Sequence, residues 1–139
     1  MNVENGQTTY APHKPSILIV EDSAPQALKT KLALESQGCQ VDWVDSGNGG
    51  LEAAQHKHFD LIILDIELPD ISGFEVCKKL KENPQLVDIP VIMLTTRDHA
   101  LDAMSGLNAG AVDYIPKDAF AEAVLLETIK QIKFTPSRP

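Results

Sequence analysis

Long apolar runs are missing from this chain: none approaches the roughly 20 residues that a membrane-spanning helix requires. The opening Met1-Asn2-Val3-Glu4-Asn5-Gly6 has neither the basic nor the apolar region of a signal peptide. Both absences point to a cytoplasmic protein without a membrane partner. Positive charge is scarce as well. Twelve Lys and Arg stand against twenty Asp and Glu, a formal charge of -8, which opposes the phosphate neutralisation that dominates nucleic-acid binding. No direct nucleic-acid partner is expected. Cysteine is limited to Cys39 and Cys77, distant in sequence and each among residues that suit a buried position. They read as small core hydrophobes, not a disulfide. His13, His56, His58 and His99 lack the ligand spacing of a zinc site and are assigned to the surface.

What is present suits one globular domain: 139 residues, 43% of them hydrophobic. Residues 1–15 mix Gly, Pro, Thr, Asn and Gln without hydrophobic period, and residues 134–139 contain two prolines, so both are expected to be loose tails. The folded unit is placed at residues 16–133. Within it, strand-like runs alternate five times with helix-like segments, the signature of an α/β domain with a parallel sheet. Ile17-Leu18-Ile19-Val20, Leu61-Ile62-Ile63-Leu64 and Val91-Ile92-Met93-Leu94 are apolar without alternation, as strands covered on both faces must be. Gln40 to Val44 reads more weakly and suits an edge, and Tyr114-Ile115-Pro116 supplies the last strand. Right-handed winding of five strands and five helices predicts the doubly wound, flavodoxin-like order 2-1-3-4-5, which sets Asp22 beside Asp65.

The first helix is expected to open at Ser23 or Ala24, with Pro25 near its first position, to turn Leu28, Leu32 and Ala33 inward, and to stop at Gly38. The second is expected from Gly49 to His58. The third carries Phe74, Cys77 and Leu80 inward and ends before Asn83-Pro84; the fourth repeats that spacing with Leu101, Met104 and Leu107 before Gly110. The fifth, Ala119 to Lys133, is expected to pack through Phe120, Val124 and Ile129.

Chemistry-bearing residues follow the strands. Glu21 and Asp22 end the first, Asp65 the third, Thr95 the fourth and Lys117 the fifth, and ligand sites of such sheets lie beyond the carboxyl ends of the strands. Each has a plain structural role open to it: the acid pair at a helix N-terminus, Thr95 as a common strand-end residue, Lys117 as a solvated loop residue. Together they make coincidence a poor account. Clustered carboxylates repel and raise one another's pKa unless something positive intervenes. Mg²⁺ suits hard oxygen donors, and Lys117 would compensate Asp65 and later pair with a phosphate oxygen. Asp65 is the nucleophile candidate, because a carboxylate attacking phosphorus forms an acyl phosphate. Ser46-Gly47-Asn48-Gly49-Gly50 lacks the spacing and ending of a Walker loop and reads as a helix-entry turn. Asp70-Ile71-Ser72-Gly73, after Leu68-Pro69, reads as a turn into the third helix, a structural role near the site.

The stretches Ile17-Leu18-Ile19-Val20-Glu21-Asp22-Ser23, Asp65-Ile66-Glu67-Leu68-Pro69-Asp70-Ile71-Ser72-Gly73, Leu94-Thr95 and Asp113-Tyr114-Ile115-Pro116-Lys117 resemble, in this order and spacing, a response-regulator receiver domain. The resemblance implies that Asp65 takes a phosphoryl group from a phosphohistidine on a sensor histidine kinase or phosphotransfer protein. It also implies Mg²⁺ held by Asp22, Asp65 and the backbone carbonyl of Glu67, with Glu21 acting through a metal-bound water. Thr95 and Lys117 would then engage the phosphoryl group and Tyr114 would turn inward. The signal would be read by a downstream protein on the face made by the fourth helix, fifth strand and fifth helix. Such a domain is a switch, not an enzyme, beyond its own phosphotransfer and autodephosphorylation.

The chain departs from the family pattern at three places. Proline usually follows the lysine, in a cis bond, whereas here Pro116 precedes Lys117 and Asp118 follows. Thr96 takes a place usually held by a smaller residue. Glu67 and Arg97 flank the site and are expected to pair across it, slowing attack by water. Two other readings compete. Asp65-Ile66-Glu67 resembles the motif of haloacid-dehalogenase-like phosphatases, which steady turnover of a phosphomonoester would favour. A docking module that no longer uses phosphate would bind Mg²⁺ without forming an acyl phosphate.

Overall fold

The computed structural model describes residues 14–95, 100–118 and 120–132, and the side chains of these apart from 95 and 100–103. Five strands, β1 (Ser16–Val20), β2 (Gln40–Val44), β3 (Leu61–Leu64), β4 (Val91–Thr95) and β5 (Asp113–Pro116), form one parallel sheet in the order β2-β1-β3-β4-β5. Between and after them run α1 (Ala24–Glu35), α2 (Gly47–His56), α3 (Gly73–Glu82), α4 (Ala100–Asn108) and α5 (Ala121–Gln131). The expected doubly wound order is present, with β2 at an edge.

The central strands are apolar at every position because both faces are covered. Leu18, Val20, Ile62 and Leu64 meet Val76, Cys77 and Leu80 of α3 on one face. Ile17, Ile19, Leu61 and Ile63 meet Leu34 of α1 and Leu125 and Ile129 of α5 on the other. Side chains of a strand alternate in direction, so consecutive residues serve the two cores in turn. Each such Leu or Ile taken out of water contributes about 1.5–3 kcal/mol. Cys39 and Cys77 are free and buried, as expected. His56 and His58 are exposed, while His13 and His99 lie outside the described residues. No described helix is long and apolar enough to cross a membrane.

Helix phase differs from the sequence-based expectation in three helices. In α1 the buried residues are Ala27, Thr30 and Leu34, whereas Leu28 and Leu32 are 56% and 57% exposed. The chain holds two rival stripes there, and capping by Ser23 with anchoring of Leu34 in the core selects the one with smaller residues, which lets the helix lie close to the sheet. In α4, Met104 and Leu107 are exposed and Gly106 is buried; a Cβ on Gly106 would stand 3.4 Å from Met93 Cγ and from Tyr114 Cδ2, so the glycine marks the point of closest approach. The side chain of Leu101 lies outside the described residues. In α5, Ile129 is buried as expected, but Ala121 and Leu125 replace Phe120 and Val124 as its partners on that face.

Helix ends follow local capping. Ser23 Oγ accepts from Gln26 N–H at the start of α1, and Gly38 leaves that helix with φ +87°, a conformation that favours glycine. Ser46 Oγ accepts from Gly49 N–H at 3.0 Å, which starts α2 two residues earlier than expected, at Gly47. Ser72 caps α3 in the same way through Glu75 N–H.

Candidate functional site

Register brings the acids together. Val20 pairs with Leu64 across β1 and β3, so the next residues, Glu21 and Asp65, emerge side by side at the carboxyl edge. On the other flank Thr95 pairs with Pro116, which delivers Lys117 to the same edge. One ligand oxygen from each of Glu21, Asp22 and Asp65 lies within 4.8 Å of the others. Glu21 and Asp65 are buried and Asp22 is exposed, so the cluster opens to solvent on the Asp22 side.

Lys117 supplies the positive charge inside the cluster. Its Nζ donates to Asp65 Oδ2 at 3.1 Å and to Glu21 Oε1, and its side chain is almost fully buried. Glu21 Oε2 accepts from Ser23 N–H at 3.1 Å. Burial nevertheless pushes the Glu21 carboxyl above its ordinary range; the Lys117 contact opposes this and the Asp65 charge adds to it. The donor set, three carboxylates with one open side, fits a hard divalent cation that keeps part of its water shell.

The loop after Asp65 is folded tightly around it. Glu67 N–H reaches Asp65 Oδ1 at 3.4 Å, and Gly73 N–H donates to the Ile66 carbonyl at 2.8 Å. A Cβ on Gly73 would fall 2.1 Å from the Asp65 carbonyl oxygen, so only glycine permits this approach. Asp70 ties the loop to α2: its carboxylate accepts from Gly47 N–H at 2.8 Å and Asn48 N–H at 2.7 Å. Those bonds, Asn48 foremost, hold its carboxyl below the ordinary value.

Of the residues named from sequence, Glu21, Asp22, Asp65 and Lys117 converge, and Glu67 borders them with its side chain exposed. Thr95 ends β4 at this edge, with its side chain outside the described residues, where Thr96 and Arg97 also fall. The expected pairing of Glu67 with Arg97 therefore lies outside the described residues. Tyr114 sits in β5 with a buried hydroxyl and its ring against Gly106. No peptide bond among the described residues is cis, that between Lys117 and Asp118 included. Sequence reasoning gave Asp70 a structural role near the site without its partners in α2, and it overlooked Trp43 as a support. The indole N–H of Trp43 donates to the Glu21 carbonyl at 2.7 Å; nothing in the pattern of an edge strand signals such a bond.

A family model, the response regulator receiver domain, matches residues 17–130. The chain is 41% identical over 103 residues to the transcriptional regulatory protein AfsQ1 of Streptomyces coelicolor, covering 74% of this chain and 44% of that protein. It is 35% identical over 116 residues to Protein PilH of Pseudomonas aeruginosa, covering 84% of this chain and 95% of PilH. A crystal structure of a putative response regulator from Chloroflexus aurantiacus superposes with a TM-score of 0.80 at 31% identity, covering 84% of this chain and 95% of that one. The chain belongs to the response regulator receiver domain family, whose members are typically signalling switches of two-component systems. It spans about half the length of the first curated relatives it matches.

Proposed function

We propose that the chain is a phosphorylation-activated switch in which Asp65 accepts a phosphoryl group from the phosphohistidine of a sensor histidine kinase or a phosphotransfer protein. A carboxylate oxygen of Asp65 forms the new bond to phosphorus while the bond from phosphorus to the imidazole nitrogen breaks and the imidazole keeps the electron pair. The observation that carries this reading is the buried Asp65 carboxylate with Lys117 Nζ at 3.1 Å, inside a cluster of three acids. Lys117 is placed to follow the incoming phosphoryl oxygens, and Thr95, at the end of the neighbouring strand, is assigned the hydroxyl that meets them. Glu21, Asp22, Asp65 and the Glu67 carbonyl would hold Mg²⁺, which when bound neutralises the transferring charge.

The phosphoryl group adds a charge of about -1.5 to -2 and forms charge-assisted bonds only in the state where Thr95 and Lys117 engage it. Shifting that state from 1% to 99% takes about 5.5 kcal/mol of differential stabilisation. Tyr114 of β5, whose ring lies against Gly106 of α4, is assigned the relay. The readout falls on the face of α4, β5 and α5. Met104, Leu107, Val112, Phe120 and Val124 are exposed there, which supports an apolar protein partner rather than nucleic acid. The proposed compartment is the cytoplasm. The haloacid-dehalogenase-like reading is weakened by the position of Asp65 at the end of the third strand rather than the first, and by the exposure of the Glu67 side chain.

Intact mass after incubation with Mg²⁺ and acetyl phosphate tests the proposal. The expected result is a gain of one phosphoryl group, absent in Asp65→Asn and after chelation. No gain at any donor concentration overturns it in favour of a docking module.

A further inference from the structure

Trp43 is the chain's single tryptophan. It sits one residue before the end of the edge strand β2 and is 41% exposed, yet its indole N–H is directed at the Glu21 carbonyl, 2.7 Å away. The next residue, Val44, accepts the Glu21 N–H through its own carbonyl at 3.0 Å. The last two residues of β2 therefore hold both backbone polar groups of Glu21, one through a side chain and one through the main chain.

That grip bears on the acid pair. The Glu21 carbonyl belongs to the peptide plane joining Glu21 to Asp22, so a tilt of the plane moves the two carboxylates relative to Asp65 together. Mutual repulsion among three acids within 4.8 Å favours such a tilt whenever no cation is bound. Asp22 is exposed, so its position depends on its backbone more than on packing. A ring that only covered the edge strand would serve equally well as phenylalanine, because an exposed indole N–H can find water instead. Here it goes to the one residue whose peptide carries the acid pair into the site.

We infer that Trp43 is a positioning residue for the divalent-cation site: its indole N–H fixes the Glu21–Asp22 peptide so that the acids are preorganised before the cation arrives. The inference rests on the reading that Glu21, Asp22 and Asp65 hold that cation. Outer partners that orient ligands govern metal affinity without touching the metal. Trp43→Phe keeps an aromatic ring and removes the donor. Loss of one such bond corresponds to an about three- to tenfold weaker Mg²⁺ affinity.

The test is a calorimetric Mg²⁺ titration of the full chain and of Trp43→Phe, with thermal unfolding of both in chelator. A dissociation constant raised about three- to tenfold supports the inference; a lowered unfolding midpoint with an unchanged dissociation constant assigns Trp43 a structural role only and overturns it. Because the chain has one indole, the Nε1–H resonance of the ¹⁵N-labelled unmodified chain gives a second reading that does not depend on the variant folding. That resonance is expected to shift on Mg²⁺ saturation, and an unmoved resonance overturns the inference. If the unmodified chain binds no Mg²⁺, the site reading itself fails and the inference falls with it.

Discussion

Lys117 Nζ lies 3.1 Å from Asp65 Oδ2 although 52 residues separate them, and the same ammonium also serves Glu21. One lysine thus answers two buried carboxylates while Asp22 adds a third at the rim. The site is left with an excess of negative charge held in place by the fold. Such an arrangement could hold a cation, and repulsion among the three acids works against the stability of the domain without one.

Asp65→Asn is therefore expected to stabilise the unliganded chain, by about 0.5–2 kcal/mol, because relief of repulsion outweighs the weakened Lys117 contact. Added Mg²⁺ narrows the difference, since binding stabilises only the form that retains all three acids. Urea unfolding with chelator and with Mg²⁺ checks this. A less stable variant under chelation would mean that the Lys117 pair outweighs the repulsion.

Asp70 gives a pH dependence of known sign. Its carboxyl is held below the ordinary 3.8 by the N–H groups of Asn48 and Gly47. On acidification the unfolded chain takes up the proton first, so the contribution is complete above the ordinary value and is lost as pH falls through the lowered one. Asp70→Asn is expected to be less stable than the unmodified chain at neutral pH, with the gap closing below 3.8. Urea midpoints of both proteins across that range decide it; a gap that persists in strong acid counts against the assignment.

Two glycines should respond in opposite directions. Gly106→Ala adds a methyl that meets Met93, Tyr114 and Phe74 at 3.4–3.6 Å, ordinary contact distances. It also removes a helix-interior glycine, and a gain of about 0.5–1 kcal/mol is expected. Gly73→Ala sets a Cβ 2.1 Å from the Asp65 carbonyl oxygen, where backbone must move. A loss of about 3 kcal/mol or more, together with reduced phosphorylation of Asp65, is expected there. Thermal unfolding and the intact-mass assay read both.

The phase of α1 is tested by three leucines. Leu34→Ala should cost about 2–5 kcal/mol, because Leu34 is wholly buried among Ile17, Val41 and Ile63. Leu28→Ala and Leu32→Ala should each stay within about 0.5 kcal/mol. Comparable losses at all three positions would restore the inward stripe that periodicity suggested.

Strand positions and the acid cluster were legible in the chain for one reason. An apolar run ending in Asp, Glu, Thr or Lys states both where a buried strand lies and what its carboxyl end presents. Parallel winding then leaves few orders, and the order found puts Val20 beside Leu64 and hence Glu21 beside Asp65. The turn chemistry of Ser46 and Ser72 was equally local and carried over to the caps of α2 and α3.

Sequence alone thus determined the strands, their order and the acids and lysine at their ends, because each depends on composition over a few adjacent residues. Only the tertiary structure decided which stripe of α1, α4 and α5 faces inward, since each helix offers two apolar faces and the choice turns on how closely it approaches the sheet. It also decided that Trp43 grips the Glu21 carbonyl and that Asp70 reaches the start of α2. Both bonds join residues 22 or 23 positions apart. Their partners are backbone groups, which every residue carries alike, so no side-chain pattern in the sequence marks them.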